Sequence, residues 1–444
     1  MTDLVGLHRA FPDRLPCLLH SAVADAGRLE SARYDILFAF PRDALILGSD
    51  GVLRLNGTVL PDHDFLAALD RLHAEAAREA PRLSGEVPFR GGWFLFLGYE
   101  LAAQIEPRLR LPKGRADFPV AVALRIPAAI VNDHARGETR LLAEEEADLA
   151  ALEALLGAAP PAWPEPVSVP VREDPPERYL EQARRVRDYI VAGDVFQVNL
   201  SRAWRGPRPA GLEAAELYRR LCRSNPAPYA GIARLPGGSV LSSSPERLLR
   251  IRGGIAETRP IAGTRPRDAA AGADAALKAE LLGHPKERAE HVMLIDLERN
   301  DLGRVCVPGS IEVSEMMTLE SYAHVHHIVS NVRGRLRPEV TPGAAIRAVF
   351  PGGTITGCPK ERCMAIIAEL EETAREAYTG SMGYLNHDGS LDLNILIRTI
   401  TVHDDEVVLR AGAGLVADSV PERELTETRH KARGLLQALE DSLT

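Results

Sequence analysis

The sequence predicts an α+β fold built on antiparallel sheet. Short apolar runs of strand character follow one another in hairpins, and helical stretches lie between them. Turn-forming residues separate these runs, as at Gly51, Gly57 and the adjacent Gly253 and Gly254. Strands joined in hairpins pair antiparallel, whereas a doubly wound fold alternates each strand with a helix. We therefore expect antiparallel sheets flanked by helices.

Residues 1–156 form a first region. Asp35–Phe38 and Ala44–Leu47 have the pattern of strands, and Asp62–Ala80 and Glu144–Leu156 have the pattern of helices. Residues 157–176, GAAPPAWPEPVSVPVREDPP, are rich in proline and lack periodicity. This segment is either a linker between domains or a long surface loop inside one domain.

The second region, residues 177–444, opens with a helix over Pro176–Ala192, with proline at its start and Gly193 at its end. Further helices are expected over His284–Asp301 and Pro359–Glu371, and around Glu424 near the end of the chain. A hairpin is expected to close near Gly253 and Gly254. Other strands are expected over Ser310–Val313 and Ala323–Val332, and a β-meander is expected over Ala377–Val416.

Composition excludes several classes of function. The chain has 444 residues, 45% hydrophobic and 26% charged, which is ordinary for a globular protein. Its net charge of -9 argues against a general nucleic-acid binder. A small anionic substrate remains compatible, because a local basic pocket or a bound metal can reverse the field.

The cysteines and the N-terminus indicate a cytoplasmic location. The five cysteines include no Cys-x-x-Cys pair, so neither a disulfide framework nor a structural zinc site is indicated. The first residues carry charges where a signal peptide needs an apolar core. No run of 18 apolar residues is present, so no membrane contact is expected.

Two predicted helices each carry a pair of glutamates three residues apart. Glu287 and Glu290 lie on the first, and Glu424 and Glu427, with Lys431, lie on the second. Residues at this spacing project from one helical face, and two carboxylates about 4 Å apart repel by roughly 4 kcal/mol at a dielectric constant of 20. The pairs are either solvated charged faces or oxygen ligands for one hard divalent cation.

Two other motifs are weaker than they look. GGTITGCPK has two glycines at the spacing of a phosphate loop, but Cys358, Pro359 and Lys360 stand where Gly-Lys-Ser/Thr is needed. His324, His326 and His327 suggest a metal site by number, yet on a strand His327 faces away from the other two. A single histidine acting as a hydrogen-bond donor or base is the better interpretation.

Taken together, the motifs resemble the chorismate-utilising enzyme family, over nearly the whole chain and most densely from about residue 177. The fold implied is two packed antiparallel β-sheets flanked by helices, with the active site in the cleft between them. The matching stretches are DVFQVNLS (194–201), SPERLL (244–249), RPIAGTRPR (259–267), KERAEHVMLIDLERNDLGRV (286–305), HVHHIVS (324–330), FPGGTITGCPK (350–360), YTGSMGY (378–384), LIRT (396–399) and GAGLVADSVPE (412–422).

The resemblance implies a role for each matching residue. Glu246 would be the general acid that protonates the departing C4 hydroxyl of chorismate, and His327 would lie near the ring. The four paired glutamates, Glu287, Glu290, Glu424 and Glu427, would surround Mg²⁺, which meets a substrate carboxylate. The substrate-binding residues would be Arg398, Tyr378 and Lys431 around the enolpyruvyl carboxylate, with Gly263, Thr264, Thr354, Gly412 and Gly414 lining the pocket.

Gln197 stands where family members that add water carry a lysine base. An amide cannot deprotonate water, so the resemblance implies that this chain uses ammonia as its nucleophile. The sequence contains no Gly-x-Cys-x-Gly glutaminase motif. Ammonia is therefore expected from a separate glutamine amidotransferase subunit.

The resemblance leaves two ammonia-using branches open. LPCLLHSAVAD followed by RYDI, QVNL and FPGGT favour the branch that aminates C4 to form aminodeoxychorismate, for p-aminobenzoate and folate. Against it stands Ala262, because that branch usually carries at this position a lysine that forms a covalent adduct. PIAGT is instead typical of the branch that aminates C2 and releases pyruvate to form anthranilate. The stretches outnumber the single residue, so C4 amination is our expectation.

Leu19, His20 and Ser21 resemble the part of the family that binds tryptophan. His20 replaces a usual glutamate there, and an ordinary core strand is the alternative interpretation. A non-catalytic protein that binds chorismate or tryptophan is a more remote alternative. It predicts loss of the acid or of the metal ligands, and all of these glutamates are present.

Overall fold

Helices surround two antiparallel sheets. The computed structural model describes residues 1–23, 32–81, 86–158, 160–267, 271–321 and 325–440. The helices of these residues are α1 (Leu4–Ala10), α2 (Phe65–Glu79), α3 (Ala102–Ile105), α4 (Glu146–Leu156), α5 (Pro176–Val191), α6 (Ala214–Ser224), α7 (Ala271–Gly283), α8 (Pro285–Gly303), α9 (Pro342–Val349), α10 (Lys360–Glu371) and α11 (Pro421–Leu439).

The first sheet, sheet A, pairs strands from both ends of the chain. Its spatial order is β10 (Arg172–Glu173), β11 (Gln197–Pro207), β23 (Glu406–Leu415), β22 (Thr399–His403), β13 (Gly238–Ser244), β12 (Tyr229–Leu235), β1 (Cys17–His20), β2 (Tyr34–Ala39), β8 (Ala128–Asp133) and β9 (Glu138–Ala143), with β19 (Gly357–Cys358) paired to β11.

The second sheet, sheet B, is also antiparallel. Its spatial order is β16 (Ile261–Pro266), β18 (Val325–Arg335), β15 (Ile255–Arg259), β14 (Arg247–Arg252), β21 (Leu391–Asn394), β20 (Ser381–Asn386), β6 (Gly92–Leu97), β7 (Ala121–Ile126), β3 (Ala44–Leu47), β4 (Leu53–Leu55) and β5 (Thr58–Val59), with β17 (Glu312–Ser321) paired to β18.

The N-terminal region contributes strands to both sheets rather than forming a sheet of its own. In sheet A, Cys17 of β1 pairs with Ala233 of β12, and in sheet B, Gly92 of β6 pairs with Asn386 of β20. The division at residues 157–176 stays a prediction about the sequence. In space, strands from the part of the chain before this segment are hydrogen-bonded to strands from the part after it, as β1 is to β12 and β6 to β20.

The apolar core has three layers. An aromatic-rich cluster that includes Phe38, Phe94 and Phe96 combines residues of the two sheets and lies between them. A second cluster packs α2, α8 and α9 on sheet B, and a third packs α1, α4, α6 and α11 on sheet A. Burial of these side chains on both faces explains why β6, GWFLFL, is buried at every position.

Helix ends agree with the sequence expectation where proline and glycine mark them. The expected helix over Pro176–Ala192 is α5, which ends at Val191, and the expected helix over His284–Asp301 is α8, which extends to Gly303. Pro285 occupies the first turn of α8. The hairpin expected at Gly253 and Gly254 joins β14 to β15.

The expected β-meander over Ala377–Val416 is wrong. β20 and β21 lie in sheet B, whereas β22 and β23 lie in sheet A. The intervening residues, Ile395–Arg398, cross from one sheet to the other. Their apolar side chains are buried in two different clusters. Ile395 packs in the cluster on sheet B, and Leu396 packs in the cluster between the sheets. Two sheets bury more apolar surface than one meander could.

None of the helices in the described residues is both long and apolar enough to cross a membrane.

Candidate active site

Two crossings between the sheets create the site. The chain passes from β13 to β14 through Pro245 and Glu246, and from β21 to β22 through Ile395–Arg398. The crossings run side by side: the Ser243 N–H donates to the Arg398 carbonyl at 3.0 Å, and the Ile395 N–H donates to the Glu246 carbonyl at 3.0 Å. Glu246 and Arg398 therefore meet in the space between sheets A and B.

Arg398 holds an uncommon backbone conformation. Its φ of 52° lies in the left-handed region, which costs a non-glycine residue on the order of 1 kcal/mol or more. The hydrogen bond from Ser243 holds this carbonyl in place. The strained crossing orients the guanidinium toward the same space as Glu246, since the Glu246 carboxyl contributes to the electrostatic field on Arg398.

The Glu246 carboxyl is buried and lacks an ion-pair partner among the described residues. Its Oε1 accepts hydrogen bonds from Thr354 Oγ1 at 2.8 Å and, weakly, from the Ile261 N–H at 3.4 Å. Burial raises the pKa of Glu246 to about 8, with a smaller contribution from Glu298, while Thr354 and Lys431 act in the opposite direction. At neutral pH this carboxyl holds a proton that it can donate.

Arg398, Tyr378 and Lys431 form a cationic end of the cleft. Burial lowers the pKa of Arg398, and Tyr378 and Glu427 oppose that effect. The Lys431 ammonium donates to the Gly412 carbonyl at 3.0 Å and pairs with Glu427 at 2.7 Å. These groups converge from the crossing before β22, from α11 and from the loop before β20, and they can hold a carboxylate.

His327 contributes a neutral imidazole. It lies on β18 opposite Thr264 and is 5% exposed. The pKa of His327 is lowered to about 4, by burial first and then by the nearby charges of Arg398 and Lys431. The ring is therefore uncharged at neutral pH and can donate one hydrogen bond and accept another.

Gln197 is the first residue of β11 and is buried. Its Nε2 donates to Glu290 Oε1 at 2.6 Å, which joins β11 of sheet A to α8. A Cβ atom at Gly414 would approach this Nε2 to 2.4 Å, and one at Gly412 would approach the Tyr378 hydroxyl to 2.8 Å. Both glycines are therefore required to leave space in front of Gln197 and Tyr378.

The four paired glutamates come from two helices that face this space. Burial raises the pKa of Glu290, and the neighbouring carboxylates of Glu287 and Glu427 raise it further. Glu424 is buried and lies beside Tyr179, whose pKa is raised by burial first and then by Glu424 and Glu427. Among the residues that the structure describes, no three side chains of His, Cys, Asp or Glu are already gathered as a metal site.

The glutamates nevertheless match the chemistry of a magnesium ion. Mg²⁺ takes oxygen ligands, and few of them need to come from protein. The mutual repulsion of Glu287, Glu290 and Glu427 is compensated only in part by Lys431. A divalent cation would relieve it.

Strand β16 lines the cleft next to α8. The register of its pairing with β18 shifts between Ala262 and Thr264. Gly263, which lies between them, has a φ of 66°. A Cβ at Gly263 would lie 3.0 Å from Glu287 Oε2, so this bulge brings the backbone against the first glutamate pair. Ala262 is buried. The side chain of Thr264 and the whole of His324 lie outside the described residues.

Leu19 and His20 end strand β1, and Ser21 follows it. His20 Nδ1 is 3.2 Å from the Tyr218 hydroxyl, and burial lowers the pKa of His20. The Ser21 N–H donates to Asp35 Oδ1 at 2.8 Å. The Ser21 hydroxyl is buried and has no hydrogen-bond partner among the described residues.

Sequence reasoning missed a second acidic pair on α8. Glu298 and Asp301 are 6% and 4% exposed, and the Lys360 ammonium lies 2.5 Å from Asp301 Oδ2. A signal was present, because Glu298 is eight residues after Glu290 and shares its helical face. Lys360 belonged to the GGTITGCPK motif, but its partner depends on the fold.

Comparison with known proteins identifies the family. A family model described as chorismate binding enzyme matches residues 29–437. An anthranilate synthase component I-like protein of Synechocystis sp. is 44% identical over 80% of this chain and 74% of its own length. Aminodeoxychorismate synthase component 1 of Bacillus subtilis is 38% identical over 93% of this chain and 91% of its own length.

A solved structure shares the fold. Anthranilate synthase component I from Streptococcus pneumoniae superposes with a TM-score of 0.82 at 32% sequence identity, covering 91% of this chain and 92% of that one. The two antiparallel sheets with the cleft between them are thus the arrangement expected from the motifs. From its sequence and its fold, this chain belongs to the family of chorismate binding enzymes.

Proposed function

We propose that this chain aminates chorismate with ammonia to give 4-amino-4-deoxychorismate, for the synthesis of p-aminobenzoate and folate. The observation that carries the proposal is Gln197, whose amide faces the open space at Gly414 and donates to Glu290. An amide has no basic nitrogen that could activate water. Ammonia needs no such base, because it is already a nucleophile.

The cationic end of the cleft suits the enolpyruvyl carboxylate of chorismate. Arg398 would bind it through its two parallel N–H groups, with the Lys431 ammonium and the Tyr378 hydroxyl beside it. The Arg398 guanidinium is buried beside Tyr378, Glu427 and Glu246, whose charges act on it. Binding at this end places the ring between His327 and Glu246.

Glu246 supplies the proton for the leaving group. The bond between C4 and its hydroxyl oxygen breaks, that oxygen takes the Glu246 proton, and water departs. The ammonia nitrogen forms the new bond to C4, and the proton that this nitrogen then loses goes to the Glu246 carboxylate, which restores the acid. A carboxyl with a pKa near 8 is protonated at neutral pH and is acidic enough to transfer its proton in the transition state.

Mg²⁺ would be held by the glutamates of α8 and α11, where it would neutralise the ring carboxylate and draw electrons from the ring. The Gln197 amide then has a second function. By donating to Glu290 Oε1, it would orient one of the carboxylates that bind the metal.

The support for amination at C4 comes from short stretches of the sequence. The extent of the matches does not separate the branches, because the Bacillus subtilis aminodeoxychorismate synthase component and the Streptococcus pneumoniae anthranilate synthase component I each match more than nine-tenths of both chains. The QVNL and FPGGT stretches agree with the C4 branch.

Ala262 favours a second candidate function, anthranilate synthesis. Its buried methyl group occupies the position where the C4 branch usually has a nucleophilic lysine. In that alternative, ammonia attacks C2, the C4 hydroxyl leaves with the Glu246 proton, and pyruvate is then eliminated. Glu246, Gln197 and the glutamate pairs have the same tasks in both reactions.

A glutamine amidotransferase subunit would supply the ammonia in both cases. The isolated chain should accept ammonium salts instead, at a pH high enough to provide free NH₃.

The decisive experiment identifies the product. Purified protein is incubated with chorismate, Mg²⁺ and ammonium chloride near pH 8.5, with and without an added aminodeoxychorismate lyase. We expect p-aminobenzoate only when the lyase is present, and little anthranilate fluorescence. Glu246→Gln, of nearly the same size, is the control for enzyme-dependent turnover.

Anthranilate as the main product, without lyase, would reject C4 amination and support the second candidate. Chorismate left unconsumed under all conditions would reject amination altogether.

A further inference from the structure

One face of α8 carries two acidic pairs, and only the first has a task in the proposed reaction. Glu287 and Glu290 lie near the start of the helix, and Glu298 and Asp301 lie near its end. At 100° per residue all four fall within one stripe. The second pair is buried, and a buried carboxylate is costly unless it is compensated or useful.

A short turn connects Glu298 to Glu246. Gly353 begins the 3-10 turn Gly353–Ile355, and a Cβ built on it would lie 3.4 Å from Glu298 Oε1. The next residue, Thr354, donates its hydroxyl to Glu246 Oε1 at 2.8 Å. Consecutive residues of one turn thus touch the two carboxyl groups. The same Cβ would come within 2.3 Å of Leu297 Cδ2, so only glycine lets α8 approach so closely.

The charges around the two carboxyls differ. Lys431 of α11 and Arg398 of the crossing act on Glu246 electrostatically, but within the part of the chain that the structure describes neither forms an ion pair with it. The neighbours of Glu298 are Asp301, one turn later, and Lys360 of α10, whose ammonium binds Asp301. Lys360 is therefore directed at Asp301, which leaves the Glu298 charge to act on Glu246.

The titration of both groups reflects this arrangement. The pKa of Glu298 is raised to about 7, by burial first and then by the charge of Asp301, while Lys360 acts in the opposite direction. Burial raises the pKa of Glu246 to about 8, and Glu298 is the carboxylate that adds to the shift. Once Glu298 has lost its proton, its negative charge makes loss of the second proton, from Glu246, harder.

We propose that Glu298 is a positioning residue for the general acid: across the Gly353–Thr354 turn, its carboxylate keeps Glu246 in the protonated form that the leaving hydroxyl needs. This role rests on the proposed function of Glu246 as the acid. Glu298 itself does not touch the substrate. It extends the pH range over which the acid carries its proton toward the alkaline side, where free ammonia is abundant.

The test is Glu298→Gln, which keeps the shape of the side chain and removes its charge. The first readout is independent of turnover: the infrared band of the protonated Glu246 carboxyl is followed against pH and assigned by its loss in Glu246→Gln. We expect the midpoint of this band to fall by about one pH unit in Glu298→Gln. Asp296→Asn, an exposed acid on the opposite side of α8, is the matched control and should leave it unchanged.

The second readout is kcat/KM for chorismate against pH, with free ammonia held constant. We expect Glu298→Gln to have nearly wild-type values at pH 6.5 and about tenfold lower values at pH 8.5. Glu298→Asp should restore much of the alkaline activity, because it restores the charge. A purely structural role would lower activity equally at every pH.

The two proposals can fail separately. Equal band midpoints in the wild-type protein and Glu298→Gln would overturn the role of Glu298, even if the enzyme is active. A lower midpoint in Glu298→Gln combined with no turnover by the wild-type protein would overturn the proposed reaction and leave the carboxyl pair supported. Unfolding of Glu298→Gln, seen by circular dichroism, would transfer the test to Glu298→Asp, whose shorter side chain should shift the midpoint downward by less.

Discussion

Two glutamates, both buried, behave in opposite ways in this molecule. Glu371, at the end of α10, receives hydrogen bonds from Arg375 at 2.6 Å, from Arg410 at 2.7 Å and from the N–H and hydroxyl of Ser201 at 2.8 Å. Burial alone would raise the pKa of Glu371, but the two guanidinium groups lower it below the usual value. This carboxylate is ionised and joins α10 to sheet A.

Glu246 is buried to a similar degree and receives hydrogen bonds from a hydroxyl and a backbone N–H only. Without a paired cation, burial raises its pKa to about 8. The comparison teaches that the counterion, and not burial, separates a carboxylate that holds the fold together from a carboxyl that can donate a proton.

Glu246→Gln should have the largest effect on the reaction. Removing a general acid costs typically 10²- to 10⁴-fold in rate, and the amide retains the shape of the carboxyl group. We expect kcat for chorismate consumption to fall by that order, with an unchanged circular dichroism spectrum. A rate within threefold of wild type would show that Glu246 is not the acid.

Glu371→Gln should have the opposite profile, with a large effect on stability. Removing one partner of a buried ion pair costs about 3–5 kcal/mol, because the remaining charges stay buried without compensation. Urea unfolding at pH 7 measures this change. Equal stability in Glu371→Gln and Glu246→Gln would contradict the contrast between the two sites.

The two sites should also respond to pH in opposite directions. Because the folded pKa of Glu246 is raised, the folded protein binds this proton more tightly than the unfolded chain, and stability falls as pH rises from about 4.5 to 8. Between pH 6 and pH 9 Glu246 should contribute a loss on the order of 2 kcal/mol, so the total loss should be smaller by about that amount in Glu246→Gln. The lowered pKa of Glu371 contributes stability that is present above its unfolded pKa and is lost only as pH falls through its folded value. A wild-type protein equally stable at pH 6 and pH 9 would argue against the raised pKa.

Thr354→Val should have the smallest effect. It should increase the difference between the raised pKa of Glu246 and the lowered pKa of Glu371. The hydroxyl stabilises the ionised carboxylate through a hydrogen bond worth about 1 kcal/mol, so its loss should raise the pKa of Glu246 further, by roughly half a unit to one unit. The alkaline limb of the kcat/KM profile is expected to move to higher pH. Thr356 lies two residues after Thr354, and its hydroxyl donates to the Gly352 carbonyl. Thr356→Val is therefore the control for general disturbance of this segment.

The local elements of the fold could be predicted from the sequence, because proline, glycine and apolar spacing act over a few residues. The starts of α5 and α8 at Pro176 and Pro285 are examples. The assignment of strands to sheets could not. Nothing in the run NILIR at 394–398 signals a crossing, since it contains neither glycine nor proline, and its hydrophobic residues fit a strand equally well.

The candidate site shows the same division. The glutamate pairs of α8 and α11 are visible because helical spacing places their members on one face. The meeting of Glu246 with Arg398 depends on two crossings that are about 150 residues apart in sequence, at 246 and 398. The ion pair between Lys360 and Asp301 could not be predicted, because it depends on how α10 packs on α8. The prediction that Lys360 pairs with Asp301 and not with Glu298 depends on the same packing.

The interleaved sheets have a consequence for how the protein emerges from the ribosome. Strand β6, apolar at nearly every position, must wait for β20, whose pairing residue Asn386 lies 294 positions after Gly92. At about 5–20 residues per second, this delay is roughly 15–60 s. During that time β6 can already pair with β7 along one edge, but its other edge stays open and can pair with the same strand of a neighbouring nascent chain. We expect the yield of soluble protein to depend on chaperones that cover this segment until translation is nearly finished.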